Sequence, residues 1–329
     1  MCMVASFKRY LVKTILQRIL KRTTMINRIF TLTILAGLLI GMKPSTADDF
    51  TVKDSKGEHL DIIGSNGKPI LRYVYVRDRS TPEKNFDTAK VFAHVFAPNG
   101  TTTLTKGPGG KYPHHRGIFI GWNRITHAGK SHDLWHVRNT EQIHVGFHED
   151  LGGSKAAVSS TIHWIGNHKE KVIEESRSYR IVPEKDAHAV IDFHSSLKAV
   201  NGDVKLNGDP EHAGVQFRPS QEVANNKSAK YIFHADKIDP KKNRDLPWVA
   251  ETFVVDNQPF TVQHMNHPSN PKGARWSAYR DYGRFGPFTV VEIADGKTQQ
   301  FRYRFRITVG EAPSRDVLQK QYDGYAKTK

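Results

Sequence analysis

From Asp48 onward the sequence is a succession of short apolar or alternating runs broken by turn residues, and this period of two limits what the chain can become. The runs at 71–76 and 91–96 are aromatic and β-branched, as pleated sheets favour. Others follow at 118–122, 142–148, 157–165, 171–182, 187–199, 231–234, 248–255 and 259–264, separated by polar, Gly- or Pro-bearing turns. Near the end, Phe301-Arg302-Tyr303-Arg304-Phe305-Arg306-Ile307 alternates strictly. Its aromatic face must be buried, and its arginine face exposed or lining a groove. Only 314–325 reads as a helix, with Ser314 placed to cap it and Asp316 suited to its first turn. Many strands and almost no helix predict an all-β chain of antiparallel sheets packed face to face.

The first 47 residues differ. They carry eight Lys or Arg and no acid, then an apolar run at 29–42 and a Ser-Thr-Ala exit at 45–47. This is the pattern of a secretory signal peptide on an N-terminal extension, with cleavage expected after Ala47. Met25 opens the more ordinary n-region. The fourteen-residue run is short for a membrane span, so no stable span is expected after cleavage and the protein is expected outside the cytoplasm, periplasmic or extracellular. Removing eight basic residues leaves forty-one against thirty-three acids, a net charge near +8 instead of +16. The charges are scattered, which argues against nucleic acid as a partner. Cys2 is the only cysteine and lies in the leader, so disulfides and thiolate chemistry are excluded from residues 48–329. No low-complexity linker divides that stretch. One domain is expected, a large antiparallel two-sheet sandwich of the mutarotase-like supersandwich kind with a short C-terminal helix.

Four polar clusters stand on this β framework. His114-His115-Arg116 precedes the apolar run at 118–122, and His132-Asp133 with Trp135-His136 follows it. In 211–218, alternation puts His212, Gly214, Gln216 and Arg218 on one strand face, opposite Val215 and Phe217. The fourth cluster holds His264, Asn266, His267, Asn270, Arg275, Trp276, Arg280 and Asp281, and its chain should leave its strand near Asn266. Gly117 should mark a turn or a close backbone approach. Amides, carboxylates and guanidinium groups pair with vicinal hydroxyls, and an indole covers the apolar side of a sugar ring. A carbohydrate or other polyhydroxylated small molecule is therefore the expected partner. His115 and Asp133 are the expected acid–base pair, with His267 as a second acid. Arg116, Arg218 and Arg275 are candidates to hold an acidic group. His114, Trp135, His136, His212, Gln216, Asn270, Trp276, Arg280 and Asp281 complete the expected binding set. No cofactor is expected. A divalent metal on the histidines is the competing use, although no HExxH or HxxEH signature is present.

Tyr112-Pro113-His114-His115-Arg116-Gly117, the later Asp133-x-Trp135, Gly214-Val215-Gln216-Phe217-Arg218, His267-Pro268-x-Asn270-Pro271 and the run at 280–287 resemble the PmoA-like domain family of unknown function. Its members are often named "methane oxygenase PmoA". The resemblance implies a bacterial, exported, mostly β protein linked to carbohydrate breakdown. A membrane monooxygenase subunit of that name is a multi-span helical protein, which this strand-rich chain cannot be.

Together the residues point to an exported carbohydrate-active protein using His/carboxylate chemistry, with hydrolysis, elimination and epimerisation all open. A non-catalytic carbohydrate-binding protein and a metal-dependent oxygenase or hydrolase are the alternatives.

Overall fold

A computed structural model describes residues 50–148, 156–209 and 211–328. They lie within one compact unit, Ser45–Lys329. The leader expected over 1–47 lies outside the described residues. Among those described, no helix is long and apolar enough to cross a membrane.

Every strand pairing is antiparallel. One six-stranded sheet runs in the order β1 (Thr51–Ser55), β2 (His59–Ile63), β3 (Pro69–Val74), β4 (Phe92–Val95), β5 (Ile118–Trp122) and β13 (Ala213–Phe217). An eight-stranded sheet runs in the order β14 (Lys230–Phe233), β15 (Trp248–Val255), β16 (Gln258–Asn266), β20 (Thr298–Val309), β11 (Ala189–Ala199), β10 (Lys171–Ile181), β9 (Ala157–Ile165) and β8 (Glu141–Phe147). Leu71, Tyr73, Ile118 and Ile120 of the first sheet share one buried core with Ile162, Tyr179, Phe193, Phe253 and Phe305 of the second. This is the face-to-face sandwich the alternation called for. Beside it stand a four-stranded sheet, β19 (Val291–Ile293), β12 (Val204–Asn207), β6 (Arg124–His127) and β7 (Lys130–His132), and a ribbon of β17 (Arg275–Ser277) with β18 (Gly286–Phe288).

Among the described residues the helices are few and short: α1 (Pro82–Asp87), α2 (Gln221–Asn226) and the C-terminal α3 (Arg315–Ala326). Ser314 occupies the N-cap position of α3, but its side chain makes no capping hydrogen bond. In β20, Phe301, Tyr303, Phe305 and Ile307 are buried, while Arg304 meets Asp192 at 2.6 Å and Glu184 at 3.1 Å. Arg302 and Arg304 line a groove of about 580 Å³, as the arginine face predicted. Inside the sandwich, the fully buried Glu175 accepts from Arg177, Trp164 and Ser195.

Two glycines make the site's strands possible. Gly117 sits at φ 51°, and a Cβ there would lie 2.0 Å from the Ala93 carbonyl oxygen. Gly214 sits at φ 87°, and a Cβ there would lie 2.0 Å from the Pro287 carbonyl oxygen. Both positions need left-handed backbone and close approach at once.

Candidate functional site

β5 and β13 are adjacent, with Trp122 opposite Ala213 and Ile118 opposite Phe217. The segments flanking them therefore meet over one patch of the six-stranded sheet. Residues 133–136 turn across β5, held by the Leu134 N–H donating to the Trp122 carbonyl at 3.0 Å. Lys90, buried beneath, donates to the Trp135 carbonyl at 2.6 Å and the His114 carbonyl at 3.1 Å. Burial, with Arg116 adding to it, holds the Lys90 ammonium well below its ordinary range.

These segments enclose a cavity of about 220 Å³, lined by His114, His115, His136, His212, Glu211, Arg280, Arg138, Tyr112 and Tyr282. Two aspartate–histidine pairs enter it. His136 Nδ1 lies 2.7 Å from Asp133 Oδ2, and Asp133 Oδ1 accepts the backbone N–H groups of Trp135 and His136. His212 Nδ1 lies 2.8 Å from Asp209 Oδ1, while Asp209 Oδ2 accepts from the Asn123 amide at 3.0 Å. Burial pushes both carboxyls up, but their hydrogen bonds and the facing histidines outweigh it, leaving each below the usual carboxylate range. An ionised carboxylate on Nδ1 makes that nitrogen the donor and leaves the Nε2 lone pair for a ligand. The two imidazole centroids are 5.0 Å apart, and His114 lies 4.5 Å from His136.

Among the described residues, His114 and His115 have no such partner. Burial first, then Lys90 and the neighbouring histidines, drives His114 down to about 2. Burial, then Arg284 and His114, lowers His115 well below its ordinary value. Both are neutral rings at any physiological pH. Tyr112 and Tyr282, with centroids 4.8 Å apart, form an aromatic wall against His115. Tyr112 and Val137 flank the cavity at φ 57° and 52°. For a β-branched residue such as Val137 this conformation costs about 1–3 kcal/mol, and such strain clusters at functional sites.

The expected site residues separate into three groups. His114, His115, His136, His212 and Arg280 line the cavity, and Asp133 stands behind His136. Asp133 bonds His136 and not His115, because the tight 133–136 turn brings the i+3 ring to the carboxylate first. The second group forms a buried layer behind. Trp135 packs on His115 and Phe119, and Gln216 accepts from Arg284 at 2.7 Å. Arg218 lies 5.0 Å over the Tyr282 ring, and Arg116 donates all its bonds to the carbonyls of Phe86, Asp87 and Pro113.

The third group lies elsewhere. His267 bonds Ser269 and the Thr328 carbonyl and packs on Tyr325 beside α3, so it is not a second acid of this cavity. Asn270 staples its own loop to Asn266 and to the Arg302 backbone. Trp276 is core, against His264 at 5.3 Å, Arg275 lies over Phe288, and Asp281 is exposed. They were grouped by nearness in sequence and by side-chain chemistry, which does not tell which sheet face each segment reaches.

Tyr112, Arg138, Glu211, Tyr282 and Asp209 were not among the expected site residues. The signal for Asp209 was present: Asp133-x-x-His136 and Asp209-x-x-His212 share one spacing. Glu211 reaches Arg280 in a close ion pair. Among the described residues, no group of three or more His, Cys, Asp or Glu is arranged to hold a metal ion.

A protein-family model, described as a family of unknown function (DUF6807), matches residues 63–323. No curated protein matches the sequence. Among solved structures, a putative kojibiose phosphorylase from human microbiome is 9% identical, with a TM-score of 0.36, over 85% of this chain and 37% of its own. This chain thus spans little more than a third of that enzyme. A GalM/aldose epimerase homologue from C. elegans is 7% identical, with a TM-score of 0.34, over 80% of this chain and 99% of its own. A galactose mutarotase related enzyme from Lactobacillus acidophilus is 10% identical, with a TM-score of 0.38, over 80% and 97%. The activities in those names belong to those proteins.

Proposed function

We propose, for a chain that belongs to the DUF6807 family of unknown function, that it is an exported protein which binds a single sugar residue in the histidine cavity and acts on it by acid–base chemistry. The observation that carries this is the convergence of two aspartate-oriented histidines, 5.0 Å apart, on one cavity with an aromatic wall. With Nδ1 donating to a carboxylate, each Nε2 can take a proton, and the carboxylate stabilises the imidazolium that forms. One histidine then serves as base while the other, protonated, serves as acid. Hydrolysis, elimination and epimerisation share that requirement. The cavity is smaller than the roughly 300 Å³ at which drug-sized sites begin, which supports one ring over an oligosaccharide. The Tyr112-to-Gly117 run and the other matching segments keep the PmoA-like resemblance as our reading within this family, with its link to carbohydrate breakdown.

The test is a panel of monosaccharides, lactones and uronic acids followed by NMR for binding and for product. His136→Ala and His212→Ala, each folded, should lower turnover by about 10²-fold or more. Unchanged turnover in both would refute the reading. Binding by the wild type without product on any bound sugar would make this a carbohydrate-binding protein.

A further inference from the structure

Around the cavity, the buried polar atoms left without a partner among the described residues include several pure donors, beside the ring nitrogens of His114 and His115 and the two oxygens of Glu251. Trp135 Nε1, Arg280 Nε and two nitrogens of Arg218 are buried without a hydrogen bond, and none of these can accept one. Charge is unbalanced in the same sense. Arg138 lines the mouth and forms no ion pair among the described residues, and Arg280 shares Glu211 alone. One layer back, the fully buried Arg284 is held by the Gln216 amide oxygen and the Ser277 and Tyr282 hydroxyls rather than by a carboxylate. Among the described residues, Arg218 donates only to the carbonyls of Pro219 and Tyr282. Asp133 and Asp209 are committed to their histidines. Burial holds the Glu251 carboxyl well above the ordinary range, with Arg218 opposing that shift. Trp135 and Arg218 belong to the layer behind, but Arg138 and Arg280 line the cavity itself, and a ligand that accepts and carries negative charge would satisfy them there.

We propose that the sugar taken here is a uronic acid, its planar carboxylate lying against Arg138 and Arg280. A carboxylate accepts in the fork geometry that guanidinium presents. This rests on the reading of the cavity as a sugar site.

The purified full-length chain is titrated calorimetrically with D-glucuronate, D-galacturonate, D-glucose, D-galactose, glucose 6-sulfate and glucose 6-phosphate. One uronate should bind about tenfold or more tighter than its neutral counterpart, the advantage shrinking as salt is raised. Arg138→Gln should lower uronate affinity about tenfold and neutral-sugar affinity by clearly less, and Arg138→Lys should restore part of the uronate loss. Equal affinity for acid and neutral sugar, lost in His136→Ala, would overturn the uronate assignment while the sugar site stands. Preference for the sulfate or phosphate would also overturn it. No binding to any of the six would overturn both.

Discussion

Replacing Asp133 by Asn should invert the tautomer of His136. In the native protein the carboxylate accepts three hydrogen bonds: two backbone N–H groups on Oδ1, at 3.0 and 2.9 Å, and the His136 ring on Oδ2 at 2.7 Å. Because the carboxyl is ionised, Nδ1 must carry the proton and Nε2 is the free base. Asparagine keeps Oδ1 for the backbone but turns an amide N–H₂ toward the ring. Nδ1 must then accept, so the proton moves to Nε2, and the atom facing the cavity changes from acceptor to donor. The Asp133 side chain is 42% exposed, so water screens the lost charge. The cost to folding is about 1 kcal/mol, a fall in Tm of about 2–4 °C. Two-bond ¹H–¹⁵N correlation spectra of the imidazoles read the tautomer without any substrate. The wild type should show Nδ1–H at His136 and Asp133→Asn should show Nε2–H, with turnover lowered about 10²-fold or more. An Nε2–H ring in the wild type, or an unchanged tautomer in the variant, would refute the pairing. Since the Asp133 carboxyl is depressed, its contribution to stability is present above the unfolded carboxylate pKa and is lost as pH falls through the folded one.

His115→Phe removes a buried ring with both nitrogens unpartnered, so urea unfolding should show stability unchanged or raised by about 1 kcal/mol, while sugar binding changes. Glu175→Gln leaves the buried Arg177 charge without its carboxylate and should cost about 3–5 kcal/mol in the same assay. Gly117→Ala should abolish the soluble fold, measured by circular dichroism of whatever is recovered, because its Cβ would strike the Ala93 carbonyl at left-handed φ. His94 and His144 are held at about 4 by burial against 6.5 unfolded. Below pH 6.5 the unfolded chain binds more protons at these rings, so Tm should fall steadily from about pH 6.5 to about 4; a flat Tm over that window would contradict it.

The sandwich was legible because its strands are long and strongly patterned. The expected runs at 118–122, 157–165 and 248–255 coincide with β5, β9 and β15, and the 301–307 alternation lies inside β20. Less legible were the short strands of the four-stranded sheet, β6, β7 and β12, whose few residues carry little period. The site was legible in its histidines and obscure in its pairings. Asp133 and Asp209 choose partners through local turns, three residues on, where the one-letter pattern Asp-x-x-His was present and unread. His267 and Asn270 share the chemistry of the site residues, yet β16 carries them to α3 and the Arg302 backbone. Which end of a strand a side chain serves is a property of sheet order, and a single run of sequence does not carry it.

The central claim is that the histidine cavity is where the sugar sits. A crystal of the protein soaked with the sugar selected by the NMR panel tests it most directly. The account predicts one ring in contact with His136 and His212, stacked toward Tyr112 and Tyr282, with its acidic group at Arg138 and Arg280. Sugar density in the groove lined by Asp192, His194 and Arg304, with the histidine cavity unaltered, would contradict it.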